Sequence, residues 1–332
     1  MENNYIYIPD KCQQGEVEFK CRVPMEDTDQ VFVVDGKGER GLNLGKGEVL
    51  EKMLQVIQVR SSQAAEDLSY STDYTLDEGA QAKVLLCSYT LSMHDFVTHE
   101  DVNIKMGEGA LLDMVVMQNE HNKSRHSTSF KVDMAAGAVL NLNVITLHGG
   151  EISNSIDIQL NGKGGECNVN GLYLADGTQR VSTKVNIFHN VPECHSSQLF
   201  KGILDGESKT SFSGRIYVAK DAQKTEAYQA NNNLLASRTA KAYTQPHLEI
   251  YADDVKCSHG ATVGSLNDDE LFYMRSRGIS MQESRLLQQQ AFAYAALANI
   301  TNVALLDRLT NLVERRLRGE FANCSDCNRQ SC

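Results

Sequence analysis

Between about residue 66 and residue 250 the chain alternates apolar and polar positions in short runs, and glycine turns separate the runs. Glu78-Gly-Ala80 leads into Ala82-Lys-Val-Leu-Leu86, and Glu108-Gly-Ala110 leads into Leu112-Asp-Met-Val-Val116. Ala136-Gly-Ala138 precedes Leu140-Asn-Leu-Asn-Val144, and Gly164-Gly-Glu166 precedes Cys167-Asn-Val-Asn-Gly-Leu172. The turn glycines at 79, 109, 137 and 165 lie 30, 28 and 28 residues apart, and Asp205-Gly206 before Thr210–Val218 reads as a further copy after a longer gap. A second alternating run precedes a turn in each unit, as Ser129–Met134 and Ser155–Leu160 do. Period-two alternation means that each strand buries one face. A fixed strand–turn–strand period means that the units stack and pool those faces in a shared interior. The pattern predicts a mainly β chain with a β-helix-like solenoid core over residues 66–264. A β-sandwich is the competing architecture, and it predicts less regular spacing.

The flanks read differently. In residues 1–65, Tyr5–Ile8, Glu16–Phe19 and Gln30–Val34 are strand candidates, the last closed by Asp35-Gly36. Lys46–Ile57 fits either a strand pair or a short helix. After Gly264 the apolar period becomes 3.6, which predicts a helical domain over 265–319. Asn267 is placed as an N-cap, followed by Asp268, Asp269 and Glu270 at the positive end of the helix dipole, with Gly278 as the stop. Ser280-Met-Gln-Glu283 has capping-box spacing for a second helix. A third runs from Asn302 to Arg318 with Leu306, Leu309, Leu312 and Val313 on one stripe. Three helices cannot hide that much apolar face by themselves, so part is expected to pack on the solenoid end and part to meet a partner. Residues 320–332 read as a disordered cysteine-rich tail.

Composition narrows the function classes. A net charge of −11 argues against a nucleic-acid binder, which needs basic surface, and equally against an anionic membrane surface. No run approaches the ~18 apolar residues of a membrane span. The start, MENNYIYIPDK, has neither a basic region nor an apolar block, which predicts a cytoplasmic chain. Nine cysteines at irregular spacing are an odd count and no disulfide framework; most read as small buried hydrophobes. With 24 glycines, 4 prolines and no tryptophan, the chain suits many tight turns. No phosphate-cradling loop, serine elbow or HExxH occurs. The chain therefore cannot hydrolyse ATP, and any energy must come from a partner.

Candidate chemistry concentrates where strands give way to helices, in His247–His259 and onward to Ile279. An alternating strand with Leu248, Ile250 and Ala252 on one side is expected to lead into a polar turn carrying Cys257 and His259. Residues two apart in extended chain share a face. A thiol and an imidazole so placed can ligate a soft metal or pass sulfur and a proton between them. A buried thiol with a backbone-bonded histidine is the competing reading. Asp253 and Asp254 face opposite ways and read as turn residues. His94, His99, His121 and His126 read as surface residues on solenoid turns, and His189, Cys194 and His195 as a loop around Pro192. Cys324, Cys327 and Cys332 offer one CxxC plus a third thiol, half of a metal site with no second half nearby. An incidental tail, a metal or sulfur relay, and an intermolecular ligand set all remain open for them.

The stretch LEIYADDVKCSHGATVG at 248–264, followed by LFYMRSRGI at 271–279, resembles the SufD branch of the SufB/SufD family of iron–sulfur cluster assembly subunits. The resemblance implies a right-handed parallel β-helix with a C-terminal α-helical domain, acting as a non-catalytic scaffold. It implies a heterodimer with a SufB-type subunit through the β-helix end, with His259 at the junction and Cys257 beside it. It also implies docking of a SufC-type ABC ATPase through the C-terminal helices, around Leu271, Phe272, Tyr273, Arg275, Arg277 and Gly278. No cofactor is expected to be bound permanently; iron or an iron–sulfur cluster would be shared transiently with the SufB-type subunit. A homodimer and a monomer both stay open for the chain in isolation. SufB-type chains carry a cysteine where Ile250 stands and a glutamate where Gly260 stands, which marks this chain as the helper. Its N-terminal segment is short for the SufD branch, which leaves any role of that segment in doubt. A β-solenoid carbohydrate-active enzyme and a self-assembling metal-binding solenoid are the competing functions.

Overall fold

The computed structural model describes residues 25–319 apart from 26, 39–40, 62–63 and 91–93. One sheet contains β1 (Thr28–Val34), β3 (Met53–Arg60), β5 (Gln81–Thr90), β7 (Leu111–Asn119), β9 (Val139–His148), β11 (Glu166–Ala175), β13 (His195–Leu204), β15 (Glu226–Leu235) and β17 (Lys256–Ser265), paired in that order. The other contains β2 (Leu42–Leu44), β4 (Asp67–Leu76), β6 (Phe96–Met106), β8 (Ser124–Met134), β10 (Glu151–Leu160), β12 (Arg180–His189), β14 (Lys209–Val218) and β16 (Lys241–Ile250). Every pairing is parallel, and consecutive strands fall in opposite sheets, so each coil contributes one strand to each face of a flattened solenoid.

The alternation in the sequence is the wall of this solenoid. Val84, Met114, Leu142 and Val169 stack in register on the inside of one sheet. Ile104, Val132, Ile158 and Ile187 do the same in the other. All are buried, and each such side chain contributes about 1.5–3 kcal/mol of hydrophobic free energy. The corners repeat as well. Gly79, Gly109 and Gly137 are left-handed, and each N–H donates to a turn carbonyl of the next coil, that of Glu108, Ala136 and Lys163 respectively. The fourth member of this series is Gly164, with φ +72°, rather than Gly165, and Gly206 belongs to the opposite corner, stacked on Gly177. Glu193 and Lys224 hold the later positions at the glycine corner with φ +60°. A non-glycine residue there costs about 1–2 kcal/mol, yet their N–H groups continue the same ladder, to Gln223 O and Asp254 O. The stack also extends ahead of residue 66, because β1 pairs with β3 and β3 with β5. All eight residues of β3 are buried, which resolves Lys46–Ile57 in favour of strand.

The helices are α1 (Asp268–Ser276), α2 (Met281–Leu297) and α3 (Val303–Leu317), capped by Asn267, Ser280 and Asn302 as side-chain acceptors. They cover the flank of the nine-stranded sheet, not the end of the solenoid. Ala293, Leu297, Leu305, Leu309 and Leu312 share a core with outward-facing Ile57, Leu85, Val115, Ile145 and Leu172. Outward positions of that sheet are apolar in these coils, so the flank is where the helical stripe finds most area to bury. Arg316 fixes the end of α3: Nε donates to Leu147 O at 2.8 Å and Nη1 to Asp176 Oδ2 at 2.7 Å. No helix among the described residues is long and apolar enough to cross a membrane.

Candidate functional site

The last coil, β16 and β17, departs from the coils in the middle of the stack. Inward positions of β11 and β13 are buried, whereas in β17 only Cys257 is even half-buried and the other nine residues are exposed. β16 likewise has no fully buried residue. Nothing among the described residues lies over this coil, so one edge of each sheet and the interior columns open outward there. Cys257 and His259 stand within β17, not in a polar turn; the turn lies before them, at 251–255.

Both side chains belong to inward columns, as the two-residue spacing requires. Cys257 tops the column Cys167–Ser196–Ala227, and His259 tops Val169–Gln198–Gln229. Their environments differ. Cys257 packs with Ala227 and Ala252 against the cluster formed by Ile216, Val218 and Ala222, and burial pushes its thiol above the ordinary value. At neutral pH it is a protonated, packed side chain. His259 is exposed at the mouth. Among the described residues no group of three His, Cys, Asp or Glu side chains could hold a metal ion. A metal-bearing species at this mouth would therefore need ligands from elsewhere. Ile250 and Gly260 supply none.

A two-sided parallel solenoid whose final coil offers an imidazole is a specific arrangement, and the chain as a whole matches one family. Residues 60–292 match the core domain described as "SUF system FeS cluster assembly, SufBD core domain". The chain belongs to the SufBD family. It is 32% identical over 277 residues to the iron–sulfur cluster assembly protein SufD of Escherichia coli, covering 82% of this chain and 66% of that one. A SufBD family protein of Mycobacterium leprae is 28% identical over 226 residues, 66% of this chain and 58% of its own. One from Synechocystis is 42% identical over 145 residues, 44% of this chain and 32% of its own. The chain thus spans about two thirds or less of these SufBD relatives.

The other SufBD motif, LFYMRSRGI, forms α1 and its C-terminal cap. Leu271 is buried in the helix–sheet core, while Phe272 is 75% exposed and Tyr273 59% exposed. The Arg277 guanidinium lies 5.2 Å from the Tyr273 ring centroid, Arg275 is exposed, and Gly278 at φ +88° lets the chain turn into α2. Phe272, Tyr273, Arg275 and Arg277 thus form an exposed aromatic and basic surface that Leu271 anchors. Cys324, Cys327 and Cys332 lie outside the described residues.

The surface reading holds for His94 and His99, which are exposed, and needs correction for His121 and His126, which are buried, as are His148 and His189. His126 Nδ1 is 2.8 Å from Glu120 Oε1, and Nε2 is 3.6 Å from Glu100 Oε2, an ion-pair distance longer than a hydrogen bond. Burial alone would drive the proton off His126, but the Glu120 carboxylate, helped by Glu100, outweighs it and raises the ring to about 10. Strand parity carried the signal: His126 shares its face of β8 with Thr128, Phe130 and Val132.

Proposed function

We propose that this chain is a non-catalytic scaffold subunit of the iron–sulfur cluster assembly machinery, a SufD-type solenoid that pairs through its open last coil with a SufB-type solenoid. The observation that carries this reading is the uncovered coil. An edge strand with unpaired N–H and C=O groups is a template for another strand, and here its inward column ends in His259. The packed thiol of Cys257, together with Ile250 and Gly260 in place of a thiolate and a carboxylate, supports giving the nascent cluster's main ligands to the partner. His259 completes the shared site, where an imidazole nitrogen suits iron or a proton. The cluster is cargo that passes through this junction. In the absence of the SufB-type subunit, the same edge would pair with a second copy of the chain.

The exposed surface of Phe272, Tyr273, Arg275 and Arg277 is the proposed seat of a SufC-type ABC ATPase. α1 follows β17 directly, so movement of the docked ATPase would pull on the coil that carries His259. The assembly would work in the cytoplasm.

The test is His259→Ala in the reconstituted assembly. The variant is expected to co-purify with both partners and to lose most cluster formation, read as bound iron and acid-labile sulfide. Undiminished cluster formation in that complex sinks the assignment of His259.

A further inference from the structure

The interior changes character toward the open end. One inward column is apolar through Val84, Met114, Leu142 and Val169 and then becomes Gln198, Gln229 and His259. Both glutamines are buried, at 2% and 3% exposure. Gln229 Nε2 donates to Gln198 Oε1 at 3.1 Å. Gln229 Oε1 and Gln198 Nε2 are left buried without a partner. An unsatisfied buried polar atom is costly, and a valine such as Val169, in the same column beneath Gln198, would avoid the cost. The opposite sheet is shaped around the amide. A Cβ at Gly214 would sit 1.7 Å from Gln229 Nε2, so β14 gives up a side chain to make room.

Register places the spare acceptor. Neighbouring parallel strands are about 4.8 Å apart, and Gln229 is the rung beneath His259. The two are not hydrogen-bonded in the conformation seen, in which the imidazole is exposed. An uncovered ring moves among its staggered rotamers freely.

We propose that Gln198 and Gln229 form a positioning ladder for His259, in which Gln198 fixes the Gln229 amide and Gln229 Oε1 accepts a hydrogen bond from one imidazole N–H. That bond selects the tautomer and turns the other ring nitrogen, with its lone pair, out of the solenoid mouth toward whatever covers it. Ligating histidines are oriented in this way by an acceptor on the far nitrogen, and removing that acceptor typically costs 10–100-fold. The inference rests on His259 being the working residue of the open coil.

The experiment combines long-range ¹H–¹⁵N spectra of the histidine-labelled full chain with cluster formation in the reconstituted complex. Gln229→Met keeps the volume and removes the acceptor, whereas Gln229→Glu keeps an acceptor. The ladder predicts that His259 favours one tautomer in the parent chain and in Gln229→Glu. In Gln229→Met it shifts to the distribution of free histidine, and cluster formation falls about tenfold with the circular dichroism unchanged. An identical tautomer distribution in the parent and in Gln229→Met overturns the ladder, even where cluster formation falls. A shifted tautomer alongside full cluster formation in His259→Ala would leave the ladder standing and remove instead the reading of the site.

Discussion

At the scale of single residues, buried histidines of opposite kinds set the pH response of this solenoid. His126 is held protonated by Glu120 and Glu100, with its folded pKa raised to about 10. His148 and His189 are held neutral, each lowered to about 4, by burial first and then by Arg316 and His195 respectively. The signs oppose. The His126 contribution is complete below the ordinary histidine value of about 6.5 and is lost as pH rises through its folded value. The His148 and His189 contributions are complete above about 6.5 and are lost as pH falls toward 4. Together they place the optimum near pH 6.5. In His126→Gln, thermal melts between pH 6.5 and 10 are expected to show a distinctly shallower alkaline decline than the parent. The variant should also be less stable near neutrality by on the order of 3 kcal/mol, because Glu120 is left buried and uncompensated. A parallel alkaline slope would contradict the ion pair. Little of this was legible by residue type, since histidine, serine and threonine also fill exposed turns. The parity of β8 was the usable clue. Gly214 was legible only as a glycine inside a strand, and its reason lies across the interior in Gln229.

At the scale of elements, regular structure was readable wherever an element buries a face. The caps Asn267 and Ser280 and the stop Gly278 stand where the sequence places them, and Asn302, the expected start of the third helix, caps it, because capping is decided within one turn of chain. β17 was read as a turn for an equally physical reason. It is outermost, so Ser258, His259, Gly260 and Thr262 have no buried face to advertise, and alternation vanishes. The docking side of the helices was misplaced because sequence reports how much apolar stripe a helix has, not which wall it meets. The exposed part of α1 makes its own prediction. Phe272→Asp with Tyr273→Asp should abolish co-purification of the ATPase while leaving the melting temperature nearly unchanged, since exposed positions usually move stability by less than about 0.5 kcal/mol. Retention of the ATPase by the double variant would move the docking surface elsewhere.

At the scale of the whole molecule, the glycine spacing was enough for a solenoid, because a fixed period is a property of stacked coils and of little else. That nothing among the described residues covers β16 and β17 could not be read from spacing, as every coil looks alike until one lacks a neighbour. The stiff, buried coils hold β16 and β17 in place, and in the proposed assembly those two strands meet a sister solenoid. Hydrogen–deuterium exchange of the full chain with and without the SufB-type subunit tests this most directly. New protection is expected to be concentrated in residues 241–265, with the first strands of the stack, β1 and β3, unaffected. Protection falling on β1 and β3 while β16 and β17 exchange as before would contradict it.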